Sequence, residues 1–192
     1  MSTITNIMIA GVGGQGTILA GRIISLLALK AQNSVKVSEI HGMSQRGGSV
    51  LTQVRYGAQV HSPLINPGEA DILLAFEKLE ALRMLPLLKP QGLLVANMQE
   101  LLPLPVLAGV MEYPADIKQR LLAADARVML LDAYELALKA GSGQAVNTVL
   151  LGKLSHSLEF SASQWQEAIS EAVKPKFLDL NLQAFELGRQ AV

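Results

Sequence analysis

No cysteine occurs in the 192 residues of this chain. That excludes disulfides, thiolate-bound zinc and, of most consequence, a cysteine-ligated iron–sulfur cluster held by the chain itself. Charge is scarce too: charged residues make up 17%, the 16 basic residues are balanced by 16 acidic ones, and the basic ones form no run. A polyanion such as nucleic acid is therefore not an expected partner. No apolar run approaches the ~20 residues that span a bilayer. The opening MSTITNIMIAGVGG lacks the basic segment of a secretory signal, and its apolar stretch runs straight into glycines. A cytoplasmic protein is the expectation. The three histidines, His41, His61 and His156, are too dispersed for a metal site.

What the chain has in quantity is apolar surface. Half its residues are hydrophobic, a high balance for a small monomer. Part of the surface is expected to be buried against another chain, giving a homodimer when the chain is isolated. The length suits one well-packed domain, and no linker, repeat or low-complexity stretch divides residues 1–192.

The pattern along the chain alternates strands and helices. Strands are expected at 4–10, 35–40, 49–56, 71–76, 92–96 and 127–131. Helices are expected at 15–31, 77–88 and 115–124, with irregular connectors at 57–70 and 97–110. From Ala133 the pattern is helical almost to the end, with breaks near Gly141–Gly143, Phe160–Ser163 and Pro175. The first two strands and the helix between them make a βαβ unit. The fold class is α/β: a three-layer α/β/α sandwich, with a mostly parallel, Rossmann-like sheet and a helical C-terminal third.

Two glycine-rich loops fall where strands should end. The first is GVGGQG, with Gly11, Gly13, Gly14, Gln15 and Gly16. Glycines before a helix start let an anion approach free amides at the positive end of the helix dipole. Glu39, 23 residues after Gly16, sits where a dinucleotide fold places its ribose-binding acid. The same glycines also suit a tight turn with close helix–strand packing, another phosphate, or a partner chain; Gly14 and Gln15 depart from the dinucleotide fingerprint. The second loop, EIHGMSQRGGS, sets Glu39, His41, Ser44, Gln45 and Arg46 beside Gly47 and Gly48. So many polar groups beside two glycines suit a surface meeting a ligand or partner. Arg46 suits a bidentate clamp on phosphate or carboxylate, or equally an ion pair with Glu39 or Asp71. His41 suits a base or a hydrogen-bonded structural residue. Ser44 has no base beside it in sequence for a nucleophile's role.

Two further motifs are missing. No P-loop lysine is present, and there is no GDG with a distant asparagine, the pattern that holds magnesium and the diphosphate of thiamine diphosphate. If the chain serves a cofactor enzyme, the chemistry belongs to another chain.

These stretches are similar to the gamma-type subunit or domain of 2-oxoacid:ferredoxin oxidoreductases, and most of all to the beta subunit in the indolepyruvate branch. The resemblance is carried by GVGGQG with Ala20 and Gly21, by SEIHGMSQRGGSV at 38–50, and by SPLI with EADILLAFE. It continues in NTVLLG at 147–152 and in Lys176, Asn181, Ala184, Phe185 and Gly188. The form Met43-Ser44-Gln45-Arg46-Gly47-Gly48 resembles the indolepyruvate branch rather than the pyruvate one. The resemblance implies a domain without catalytic residues of its own, whose loops complete a composite site. It implies a larger partner subunit carrying thiamine diphosphate and iron–sulfur clusters, with coenzyme A as co-substrate and ferredoxin reached through the complex. The other reading from the residues is a free-standing Rossmann protein that binds NAD or FAD.

Overall fold

The computed structural model describes residues 4–41 and 48–191. Six strands form one sheet: β1 (Thr5–Val12), β2 (Ser34–His41), β3 (Ser49–Gly57), β4 (Ala70–Ala75), β5 (Leu88–Asn97) and β6 (Ala126–Leu131). Their order is β2-β3-β1-β4-β5-β6. The run β1-β4-β5-β6 is parallel. β3 is antiparallel to both of its neighbours, β1 and β2. The mostly parallel α/β sheet expected from sequence is thus present, with one correction inside it. β1 and β2 point the same way but do not touch, because β3 lies between them. The connection from His41 to Ser49 is too short for a parallel crossover, which takes about a dozen residues or more. It closes a hairpin instead.

Alternation along the strands divides the core in two. Ile7 and Ile9 face a layer made by α1 (Thr17–Lys30), α5 (Ala133–Ala140), α6 (Val146–Leu154), α7 (Ala162–Ala172) and α8 (Leu178–Gln190). Met8 and Ala10 face the other layer, where α2 (Lys78–Met84) and α4 (Ile117–Leu122) lie. A single-turn helix, α3 (Leu104–Leu107), interrupts the connector after β5. The helix expected to run to Leu88 ends in a 3-10 turn at Leu85–Leu87, and β5 starts at Leu88. Pro86 inside that turn tightens it and ends the α-helical pattern.

The C-terminal motifs explain themselves as packing. α6 and α8 cross where Gly152 meets the main chain of Phe185, and Gly188 meets the Val149 carbonyl. A Cβ on either glycine would overlap opposing backbone. Close approach lets Thr148 Oγ1 donate to Asn181 Oδ1 over 2.6 Å inside the core. Asn181 in turn donates to the Phe177 carbonyl over 2.8 Å, which anchors the start of α8. Gly21 serves α1 likewise, lying against Thr52 and Val54 of β3.

Candidate functional site

Both glycine loops arise at the carboxyl end of the parallel strands, the end at which open α/β sheets bind ligands. The pairing of Val12 with Ser49 and of His41 with Val50 sets the two loops side by side. They also touch: the Gly13 amide donates to the Gly48 carbonyl over 2.9 Å.

The first loop is shaped by its own side chain. Gln15 Oε1 accepts from the Val12 amide over 2.8 Å, and Gln15 Nε2 donates to the Phe76 carbonyl over 3.0 Å. Its amide is thereby committed to holding the loop against β1 and the end of β4. Asn97 Nδ2 reaches the same Phe76 carbonyl over 3.1 Å, and its Oδ1 accepts from the Ala133 amide over 3.0 Å. Four strand ends are tied together by two side-chain amides.

Gly14 and Gly16 both adopt left-handed backbone, at φ 98° and 83°. A side chain on Gly14 would point into open space, whereas one on Gly16 would meet Asn147 Nδ2 at 2.5 Å. Gly11 is hemmed in by Gln15, Thr17 and Phe76. The glycines therefore divide: Gly11 and Gly16 answer to packing, and Gly14 is the open position. Gly16 is the N-cap of α1 and offers no side-chain cap; the first turn of α1 holds no acidic residue. The amides that begin α1 are therefore met by no capping side chain and no acidic residue of that turn.

Of the second loop, Ser44, Gln45, Arg46 and Gly47 lie outside the described residues, as does the His41 side chain. Gly48 is placed by its bond to Gly13. Glu39 sits on the edge strand β2 opposite Thr52, and Thr52 is opposite Ile9 of β1. A strand of the opposite direction thus stands where a dinucleotide fold has its second strand directly beside the first. Asp71 lies at the amino end of β4, where it accepts from the Asn6 amide over 2.7 Å and pairs with Lys89. That is the far end of the sheet from His41 and Gly48. His61 is exposed, and His156 Nε2 contacts the Arg189 carbonyl at 2.9 Å. No group of potential metal ligands occurs among the described residues. No described helix is long and apolar enough to cross a membrane.

The sequence did not single out an acidic cluster beside the first loop. Glu77 and Glu80 are both buried. Glu77 caps α2 by accepting from the Glu80 amide over 2.8 Å; it also accepts from Tyr113 Oη over 2.6 Å and from the Leu101 amide over 3.3 Å. Burial, then the hydrogen bond to Glu77 and its charge, push the Tyr113 phenol far above its usual pKa. Glu80 accepts from Ser49 Oγ over 2.5 Å and pairs with Arg83 over 2.6 Å. These residues border a cleft of about 310 Å³ between Gly13, Glu77, Arg83, Leu102 and Pro103. In sequence, EKLEALR reads as an ordinary solvated helix face. Glu77 and Glu80 are buried because α2 lies across the strand ends, against the start of β3, while Arg83 stays exposed. The Ser49–Glu80–Arg83 chain therefore links the end of the second loop to the wall of the cleft.

Among known proteins, the chain is 42% identical over 191 residues to the indolepyruvate oxidoreductase subunit IorB of Thermococcus kodakarensis, covering 97% of this chain and 95% of that one. The gamma subunit of a keto/oxoacid ferredoxin oxidoreductase from Geobacter sulfurreducens shares the fold with a TM-score of 0.71 at 24% identity, over 96% of this chain and 95% of that one. A 2-oxoglutarate:ferredoxin oxidoreductase from Magnetococcus marinus gives a TM-score of 0.74 at 23% identity; the match takes in 97% of this chain but only 30% of that longer one. The family model for pyruvate ferredoxin/flavodoxin oxidoreductase matches residues 6–191, a span that holds both glycine loops, the α2 cluster and the α6–α8 crossing, and the chain belongs to that family.

Proposed function

We propose that this chain is a subunit of an indolepyruvate:ferredoxin oxidoreductase. The enzyme oxidatively decarboxylates aryl 2-oxoacids: the carboxylate leaves as carbon dioxide, the acyl group replaces the thiol proton of coenzyme A, which is released, and the two electrons pass singly to ferredoxin. The observation that carries this reading is the 42% identity to IorB along 97% of the chain. The loop Met43-Ser44-Gln45-Arg46-Gly47-Gly48 supports it.

The chain's residues do not suit it to hold the redox groups. It has no cysteine for a cluster and no GDG motif for thiamine diphosphate. Both groups belong to a larger partner chain in this reading, in the cytoplasm. The part left to this chain is to border the site. Main-chain amides at Gly14, Gly16 and the start of α1 face anionic groups, and the diphosphate of coenzyme A is the natural guest for a helix start. In this reading Ser44, Gln45, Arg46 and Gly47 supply the second loop's donors, its charge and its close backbone; the chain enters that loop past Glu39 on β2 and leaves it at Gly48, which is bonded to Gly13.

Composition tests this division. Iron and thiamine should be found in the complex with the larger chain, and neither in this chain purified alone. Stoichiometric iron–sulfur absorbance in the isolated chain, or arylpyruvate turnover by it, would overturn the assignment.

A further inference from the structure

We propose that residues 101–111 are the docking ridge for the larger chain of the same enzyme, which receives it in an apolar groove. The proposal rests on the functional reading above. The segment reads LLPLPVLAGVM, without one polar side chain between Glu100 and Glu112. Leu104 is 75% exposed, Leu107 67%, Val110 78%, Met111 59% and Leu102 43%. Together they present on the order of 600 Å² of apolar residue surface, at the top of the range for the largest patch on an ordinary monomer. A standard interface buries ~800 Å² on each partner, so the ridge supplies most of the apolar part of one.

The ridge is held in shape although its tips are bare. The Leu107 and Ala108 amides donate to the Pro103 and Leu104 carbonyls over 3.1 and 2.9 Å, and the Val110 amide donates to the Pro105 carbonyl over 2.9 Å. Both ends are fixed to one buried carboxylate, through the Leu101 amide and Tyr113 Oη on Glu77. An apolar element already ordered in this way loses little entropy on binding.

Shape and position select the occupant. Leu104 and Val110 stand clear of their own chain, so the mate must be concave. In a two-fold pair this patch would meet the same patch of a second copy, which is a ridge and not a groove. Leu102 and Pro103 continue from the ridge into the cleft that reaches Gly13. A chain seated on the ridge is thereby brought to the glycine loops. In the longer Magnetococcus marinus chain, this fold is 30% of one polypeptide and has covalent neighbours.

The experiment compares the wild-type chain with the double variant Leu104→Glu, Val110→Glu, each titrated with the larger chain. The variant is expected to keep its melting temperature and to bind at least tenfold more weakly. Leu104→Met should bind as the wild type does. Equal affinity of the double variant overturns the proposal. Lost self-association with unchanged affinity for the larger chain also overturns it, and assigns the ridge to a second copy. If the wild-type chain itself forms no complex, the functional reading falls and the ridge with it.

Discussion

The Gly13 amide donates to the Gly48 carbonyl across 2.9 Å, so two loops that are 35 positions apart in sequence form one edge. A hydrogen bond between main-chain groups fixes their spacing whatever side chains they carry. Gly48 is thus held beside the loop that leads into α1.

Gly14 and Gly16 should separate function from folding. Gly16→Ala meets both left-handed backbone and Asn147 at 2.5 Å, and a loss of about 2–3 kcal/mol in unfolding free energy is expected. Gly14→Val has open space around its side chain and should cost about 1–3 kcal/mol for its left-handed backbone alone. In the assembled complex Gly14→Val should raise KM for coenzyme A more than KM for the oxoacid. Chemical denaturation and separate substrate titrations check the pair. Weakened assembly with both constants unchanged would make the loop a docking element.

At the helix crossing, Gly188→Ala drives a methyl group into the Val149 carbonyl. Backbone cannot rotate away as a side chain can, so a loss of about 3 kcal/mol or more is expected. Circular dichroism melts of Gly188→Ala and Gly152→Ala would show it as a large fall in melting temperature. Near-wild-type melting in both would mean that the helices do not approach as closely as described.

Much of this fold was legible in the sequence, and the misses have physical causes. Short apolar strands bounded by glycine, such as DILLAF, marked the sheet. Strand direction was not marked, because the residues of β3 alternate in the same way whichever way the strand runs. The length of the connection from His41 to Ser49 held that information. The glycine loops were found by their composition. Glu77 and Glu80 carry no signal in the sequence, because acids at helical spacing are ordinarily solvated. Only the fold reveals that α2 turns them onto the strand ends. Leu104 and Val110 sat in what read as a proline-rich connector, and periodicity does not tell a buried apolar run from an exposed one.

Tyr113 should report on alkaline pH. Its folded pKa is raised, by burial first and then by Glu77. Unfolded, the phenol ionises near pH ~10. Its contribution is therefore complete below about pH 10 and declines as pH rises further, because the unfolded chain releases a proton that the folded one keeps. Tyr113→Phe should lower stability by about 1–2 kcal/mol at neutral pH and flatten the decline above about pH 10. Denaturation curves across that range, wild type against variant, decide it; parallel alkaline limbs would go against the buried Tyr113–Glu77 contact.

Arg46→Ala should leave stability within ~0.5 kcal/mol, as surface changes do. In the assembled enzyme it should cut kcat/KM by about tenfold or more, the worth of one charge-assisted hydrogen bond. Unchanged kinetics with an unchanged melting temperature would return Arg46 to a structural ion pair.

Completing an aryl 2-oxoacid oxidoreductase is the role proposed for this chain. The direct measurement is ferredoxin reduction by the larger chain with and without this one, in the presence of coenzyme A and either indolepyruvate, pyruvate or 2-oxoglutarate. Turnover is expected only when both chains are present, with the highest kcat/KM for indolepyruvate. Equal turnover by the larger chain alone, or a complex that prefers pyruvate or 2-oxoglutarate, would contradict it.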